Sequence, residues 1–243
     1  MKTPGKVMGA TVASLAVLIA VTGIILYFGF IPLPDFPSLA TAPDPAIPGT
    51  IAYHSWTEEE GACIGTVPAS GGPVHQVVCQ RDSDAVAWTG EGNLVVEDYS
   101  GPRPILVVLD AATGAVLDRV ESAEGGLFEL VGDKTVRSDG SRIQTESDSE
   151  GSAQVLVVAT NGAPTTVVDV EGAPRDYYFL DWGLQWSPDG AWIAAWDSAG
   201  RLLVAEASGT SGARALVETE EGYGQFAWYI PGNPTYTVDV SQG

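Results

Sequence analysis

Leu184-Gln185-Trp186-Ser187-Pro188-Asp189-Gly190-Ala191-Trp192-Ile193-Ala194-Ala195-Trp196-Asp197-Ser198 is the stretch on which the reading of the fold turns. Its middle is a turn that can be read residue by residue. Pro188 presets φ, Asp189 can accept a hydrogen bond from the backbone that follows it, and Gly190 takes a positive φ without steric cost. Short apolar runs rich in Trp, Ile and Ala flank the turn, and a further run, Arg201-Leu202-Leu203-Val204, follows. Brief β-prone runs cut by turn residues, with no helical period, read as antiparallel strands.

The same arrangement recurs along the chain. β-runs that end in small, Gly-containing turns occur at Ile64–Val67 before Ser70-Gly71-Gly72, Ile105–Leu109 before Ala112-Thr113-Gly114, Val155–Val158 before Thr160-Asn161-Gly162, and Leu202–Val204 before Ala207-Ser208-Gly209. These turns are spaced roughly 43, 48 and 47 residues apart, the period of a four-stranded propeller blade. Aromatic-bearing runs interleave with them: Ala85–Trp88, Leu127-Phe128-Glu129-Leu130, Leu184–Trp186 and Phe226-Ala227-Trp228. The unit at 184–198 resembles the WD-like repeat of TolB-type β-propellers, in which an aromatic-Ser-Pro-Asp-Gly turn joins the innermost strand to the next. Trp186, Ser187, Pro188, Asp189 and Gly190 carry that resemblance, and elsewhere it decays to Trp88-Thr89-Gly90-Glu91-Gly92 and Trp228-Tyr229-Ile230-Pro231-Gly232. It implies a fold and structural roles for these five residues, and says little about a partner.

The expected fold is therefore all-β, a small propeller of four four-stranded blades, with five as the alternative. Thr50-Ile51-Ala52-Tyr53 matches Trp192–Ala195, so the domain should begin on the second strand of its first blade. Phe226–Trp228 should then supply the missing innermost strand and close the ring, which removes open sheet edges. Tyr236–Val240 is left over, as an added edge strand or the remnant of a fifth blade.

Before this domain, Val7 to Ile31 contains no charged residue and is long enough to cross a bilayer as one transmembrane helix. Lys2 and Lys6 precede it, which orients the N-terminus to the cytoplasm and the rest of the chain outside. The expected division is a cytoplasmic tail at 1–6, a transmembrane helix at 7–31, a Pro-rich extended stalk at 32–49 and an extracytoplasmic domain at 50–243. Cleavage after Ala40-Thr41-Ala42, with release of the domain, is the alternative. All 31 acidic residues follow the span, against nine of the 11 Lys and Arg, a balance of about −22 for the exported part. Such a field argues against nucleic acid and anionic lipid surfaces as partners.

Cys63 and Cys79 lie equidistant from Gly71, so a hairpin centred there would face them across two strands for a disulfide; two buried thiols are the alternative. A metal site there is disfavoured, since His54 and His75 are the only histidines and no third ligand joins them. The chain contains no Gly-x-Ser-x-Gly elbow, phosphate loop or dinucleotide fingerprint, so no catalytic residue and no cofactor is assigned.

Ser138 to Ser152, with Glu146-Ser147-Asp148-Ser149-Glu150 at its centre, reads as a polar insertion, a solvated hairpin tip in preference to a Ca²⁺ loop. Trp56-Thr57-Glu58-Glu59-Glu60 reads as an exposed charged loop. Gly172 to Trp182 holds Arg175, Asp176, Tyr177, Tyr178, Phe179 and Trp182, residue types that anchor interfaces or cover a seam between blades. The expected function is a non-catalytic interaction or sensing module of the cell envelope, with a protein or glycan partner. The alternatives are a hydrolase or lyase with an acidic, metal-dependent site in the propeller tunnel, and a purely structural or degenerate propeller.

Overall fold

The computed structural model describes residues 43–243 apart from 58–60, 80–82, 123–125, 148–152, 160–161, 163, 171–182, 198, 211, 220–224 and 243. The expected transmembrane helix and most of the stalk therefore lie outside the described residues. In chain order the strands are β1 (Thr50–Thr57), β2 (Gly61–Pro68), β3 (His75–Cys79), β4 (Ser83–Thr89), β5 (Leu94–Asp98), β6 (Ile105–Leu109) and β7 (Val116–Glu121). A short helix α1 (Gly126–Val131) precedes β8 (Arg142–Ser147), β9 (Ala153–Val158) and β10 (Thr165–Val170). Then come β11 (Leu184–Trp186), β12 (Trp192–Trp196), β13 (Arg201–Glu206), β14 (Arg214–Glu218), β15 (Phe226–Tyr229) and β16 (Thr237–Val238).

These strands form four sheets among the described residues, ordered β15-β1-β2-β3, β16-β4-β5-β6-β7, β10-β9-β8 and β11-β12-β13-β14. We number them sheets 1 to 4. The fold is all-β and propeller-like. Its inner strands show why the sequence does not alternate apolar with polar, because both faces of a strand are buried against different neighbours. On β12, Ala194 and Trp196 face a core shared with sheet 1, whereas Ile193 and Ala195 face one shared with sheet 3. On β5, Leu94 and Val96 join the core between sheets 1 and 2, and Val95 packs toward Leu127 of α1. Three cores thus fill the seams between sheets 1 and 2, sheets 3 and 4, and sheets 4 and 1, and the fourth packs sheet 2 against α1.

Closure occurs where the sequence places it. β15 pairs antiparallel with β1, Thr50 opposite Tyr229 and Tyr53 opposite Phe226. The indole of Trp88 donates to the Ala227 carbonyl at 2.9 Å and its ring stacks on Tyr229 at 5.2 Å, fastening the closing strand to sheet 2. The leftover C-terminal segment is an edge strand: β16 runs parallel to β4, Thr237 opposite Trp88.

Sheet 3 departs from expectation in two ways. Leu127–Leu130 is not a strand but part of α1. Leu127 is fully buried against sheet 2, and its backbone N–H donates to the Glu97 carboxylate at 3.0 Å. Ser122 Oγ donates to the same carboxylate at 2.8 Å, so an acid only 2 % exposed fixes the start of the helix. The innermost position of sheet 3 falls instead to Lys134–Arg137. Ile143 donates to the Thr135 carbonyl, Val136 bridges Arg142, and Arg137 donates to the Ser141 carbonyl. Consequently Ser138 to Ser152 is not one polar insertion. Ser138-Asp139-Gly140 is an inner turn, and Arg142–Ser147 is strand β8 with Ile143 in the core. Trp56 and Thr57 likewise belong to β1, opposite Ala62 and Gly61, rather than to an exposed loop.

Cys63 and Cys79 form the expected cross-strand disulfide. The register contains a bulge between Ile64 and Gly65 that skips Val77, and this extra residue sets Cys63 opposite Cys79.

Candidate binding site at the ring axis

Two polar side chains meet at the inner edge of β15. In an antiparallel strand, alternate residues turn their N–H and C=O groups to opposite edges. Because His54 donates to the Gln225 carbonyl, residues 225, 227 and 229 face β1, and Phe226 and Trp228 face the axis. The Trp228 N–H donates to Gln185 Oε1 at 3.2 Å, and the Phe226 carbonyl accepts from Lys134 Nζ at 3.0 Å. Gln185 comes from β11 of sheet 4. Lys134 comes from the inner segment of sheet 3, which shares no core with sheet 1, so its side chain crosses the axis to the opposite sheet.

The electrostatics of this meeting point are one-sided. Lys134 as a residue is only partly buried, but its ammonium is packed among protein atoms, and that burial lowers its pKa to about 8. No carboxylate of the described residues makes an ion pair with it. Gln185 is 1 % exposed, and its Nε2 has no hydrogen-bond partner. Trp196 Nε1, on the same face of sheet 4, is likewise unmet. Buried N–H groups of this kind are almost always satisfied in native proteins, so the axis presents donors in excess of acceptors.

The turn residues named from the sequence prove to be a structural clamp. Ser187 Oγ donates to Asp189 Oδ1 at 2.6 Å, Ala191 N donates to Asp189 Oδ1, and Gly190 adopts φ 70°. Trp186, wholly buried, donates its indole N–H to the Thr135 carbonyl at 3.0 Å, while the Arg137 guanidinium lies 5.0 Å from its ring centroid. These contacts tie sheet 4 to sheet 3 and give the turn residues a structural role. Arg175, Tyr177, Tyr178, Phe179 and Trp182 lie outside the described residues, as do Asp148 and Glu150. A separate open cavity of about 420 Å³ lies beside β16, lined by Thr89, Glu91, Thr237, Asp239 and Ser241 among others.

Sequence reading did not identify Lys134 or Gln185 as site residues, although each left a signal. Lys134 is the only lysine beyond Lys6, and Gln185 is the one polar side chain in an otherwise apolar inner run.

No family model matches the chain, and no curated protein matches it either. Solved structures with similar arrangements include TolB from Acinetobacter baumannii, at 18% identity and a TM-score of 0.27, over 71% of this chain and 43% of that one. A prolyl endopeptidase is similar at 15% identity and a TM-score of 0.27, over 74% of this chain and 30% of its own. Regucalcin from Agrobacterium tumefaciens, a calcium-binding protein, is similar at 15% identity and a TM-score of 0.19, over 70% and 62%. The chain thus spans less than half of the TolB chain and less than a third of the endopeptidase. The propeller-like arrangement rests on the four sheets and their seams rather than on these likenesses.

Proposed function

We propose that this chain is a single-pass, membrane-anchored, extracytoplasmic four-bladed β-propeller that binds a partner without converting it, as an interaction or sensing module of the cell envelope. The observation that carries the binding role is the axis, where Gln185 Nε2 and the unpaired Lys134 ammonium offer donors that the described residues do not meet. The compartment is supported by the Cys63–Cys79 disulfide, which persists in oxidising surroundings, and by the uncharged run from Val7 to Ile31 behind Lys2 and Lys6. For a macromolecular partner, protein or glycan, the candidate anchors are Arg175, Tyr177, Tyr178, Phe179 and Trp182.

Protease added to intact, spheroplasted cells tests the topology: the domain should be removed from outside, and Cys63 and Cys79 should resist alkylation until reduced. A protected domain with alkylatable thiols overturns the placement. Cross-linking in the same cells tests the surface, since Tyr178→Ala combined with Trp182→Ala should abolish capture of the partner while the circular dichroism stays unchanged.

An enzymatic reading draws on one specific observation, an amine whose pKa of about 8 lets a neutral nucleophile or base exist near physiological pH. It differs from the acidic, metal-dependent tunnel considered from sequence, because the described groups meeting at the axis are a lysine and an amide. Turnover of a bound ligand, lost in Lys134→Met, would decide for it.

A further inference from the structure

The donor excess at the axis narrows the chemistry of what can bind there, and this inference rests on the binding role proposed above. An ammonium has three N–H donors and a primary amide two. Lys134 Nζ spends one of its donors on the Phe226 carbonyl, and Gln185 Nε2 spends none. Their acceptor partners are already used: Gln185 Oε1 receives the Trp228 N–H, and the Lys134 carbonyl receives the Trp186 N–H. Phe226 and Trp228 are two residues apart on one strand edge, so the two side chains converge within about 7 Å of backbone. Among the described residues this enclosed cation has no counter-charge, and such a cation beside an unmet amide N–H is costly unless something with negative charge and several lone pairs completes it.

We infer that the axis is a carboxylate site, in which one carboxylate oxygen accepts from Lys134 Nζ and the other from Gln185 Nε2. A carboxylate fits better than a second cation or an apolar group, because the site offers only donors and one positive charge. It fits better than water alone, because a neutral molecule leaves the ammonium uncompensated. The acidic character of the rest of the chain sharpens the point, since among the described groups that meet there Lys134 carries the positive charge that attracts an anion. The carboxylate can belong to a free small acid or to the C-terminus of a peptide, both of which present the same two oxygens.

The test uses the full chain in detergent, labelled with ¹³C at lysine Cε, so that three lysines are followed by NMR and Lys134 is separated from Lys2 and Lys6 by its response to pH. The probes are acetate, N-acetyl-Ala-Ala with a free C-terminus, and the same dipeptide as its C-terminal amide. A bound carboxylate favours the charged amine, so the titration midpoint of Lys134 should rise by about one unit or more. Calorimetry should show saturable binding that weakens at least tenfold in Lys134→Met and in Gln185→Met. Binding of acetate and of the free-acid dipeptide assigns the site to small carboxylates in general, whereas binding of the dipeptide acid alone assigns it to a peptide C-terminus. Equal binding of the amide, or an unmoved Lys134 titration with all three probes, overturns the carboxylate site. The titration needs no substitution, so it stands even where a variant fails to fold. Failure here leaves the extracytoplasmic binding role open at the aromatic segment 175–182, whereas consumption of a bound probe would overturn the non-catalytic role and leave the carboxylate site in place.

Discussion

Sheets 3 and 4 are two versions of one design, and the contrast shows how little local signal an inner strand needs once its neighbours are in place. In sheet 4, Leu184–Trp186 forms a regular three-residue ladder with β12, and the Ser187-Pro188-Asp189-Gly190 turn is closed by its own side chains. In sheet 3, Lys134–Arg137 makes only a bridge and a few backbone bonds to β8. Yet the turn chemistry is shared: Gly140 donates to the Arg137 carbonyl as Gly190 does to Ser187, and Ser141 N donates to Asp139 Oδ1 as Ala191 N does to Asp189. Gly140 has φ 81° and Gly190 φ 70°. The turn of sheet 3 closes one residue earlier, with Arg137 bonded to Ser141 where Ser187 is bonded to Trp192. What holds the weaker strand is the stronger one beside it, through Trp186 and its bonds to the Lys134 and Thr135 carbonyls.

The contrast can be broken most severely at Trp186. Trp186→Ala empties a fully buried site and removes the link to Thr135, and should cost about 3–5 kcal/mol in chemical denaturation. Val136→Ala, the equivalent position in sheet 3, should cost less than a third of that. Equal losses would show that sheet 3 stands without its neighbour.

At the next level are the two turn glycines. Gly190→Ala forces an L-residue into the left-handed region and brings a methyl group toward Arg137, so a loss of about 1–2 kcal/mol is expected. Gly140→Ala should lose a similar amount if the turns are equivalent, again by denaturation, and a near-neutral result would mark the sheet 3 turn as able to relax.

Arg137→Met removes the guanidinium over the Trp186 ring and the ion pair with Asp139 at 3.4 Å. Both groups of that pair are well exposed, so about 0.5–1 kcal/mol is expected, falling in high salt.

A pH series sharpens the comparison further. Lys134 stands where sheet 4 has Leu184, and its amine titrates at about 8 folded against 10.5 when exposed. Between these values the unfolded chain holds a proton that the folded one has lost, so stability rises with pH across that window. Thermal melts should therefore show a modest rise from pH 8 to about 9.5 that disappears in Lys134→Met. Toward pH 10 and above the trend reverses, because burial pushes Tyr53 and Tyr236 up to about 12 and the unfolded tyrosines ionise first. No rise in the parent protein would mean that the amine is solvated rather than enclosed.

Legibility in the sequence followed the range of the interaction. The sheet 4 turn and the closing strand are readable, since each depends on residue types and spacing that act within a hairpin or repeat at a constant period, whereas the Cys63–Cys79 pairing also needs the bulge that skips Val77. The Asp139-Gly140 turn has the same chemistry but is masked in the sequence, because the strand before it carries Lys134 and Thr135 where a repeat shows apolar residues. Leu127–Leu130 shows the opposite case, being apolar and aromatic at the right spacing for a strand. Glu97, some thirty residues earlier, accepts the Leu127 N–H and starts a helix there instead.

By itself, then, the sequence determined that the domain from Thr50 onward is a set of short antiparallel strands in repeated units, and that its last inner strand belongs to its first unit. Local turn chemistry and the two-residue strand period are sufficient for those conclusions. Only the tertiary structure decided that α1 replaces a strand, that Lys134–Arg137 fills the inner place in sheet 3, and that Lys134 and Gln185 meet on the edge of β15. These outcomes depend on which distant groups are left needing partners once the sheets have packed, and no residue pattern along the chain records that.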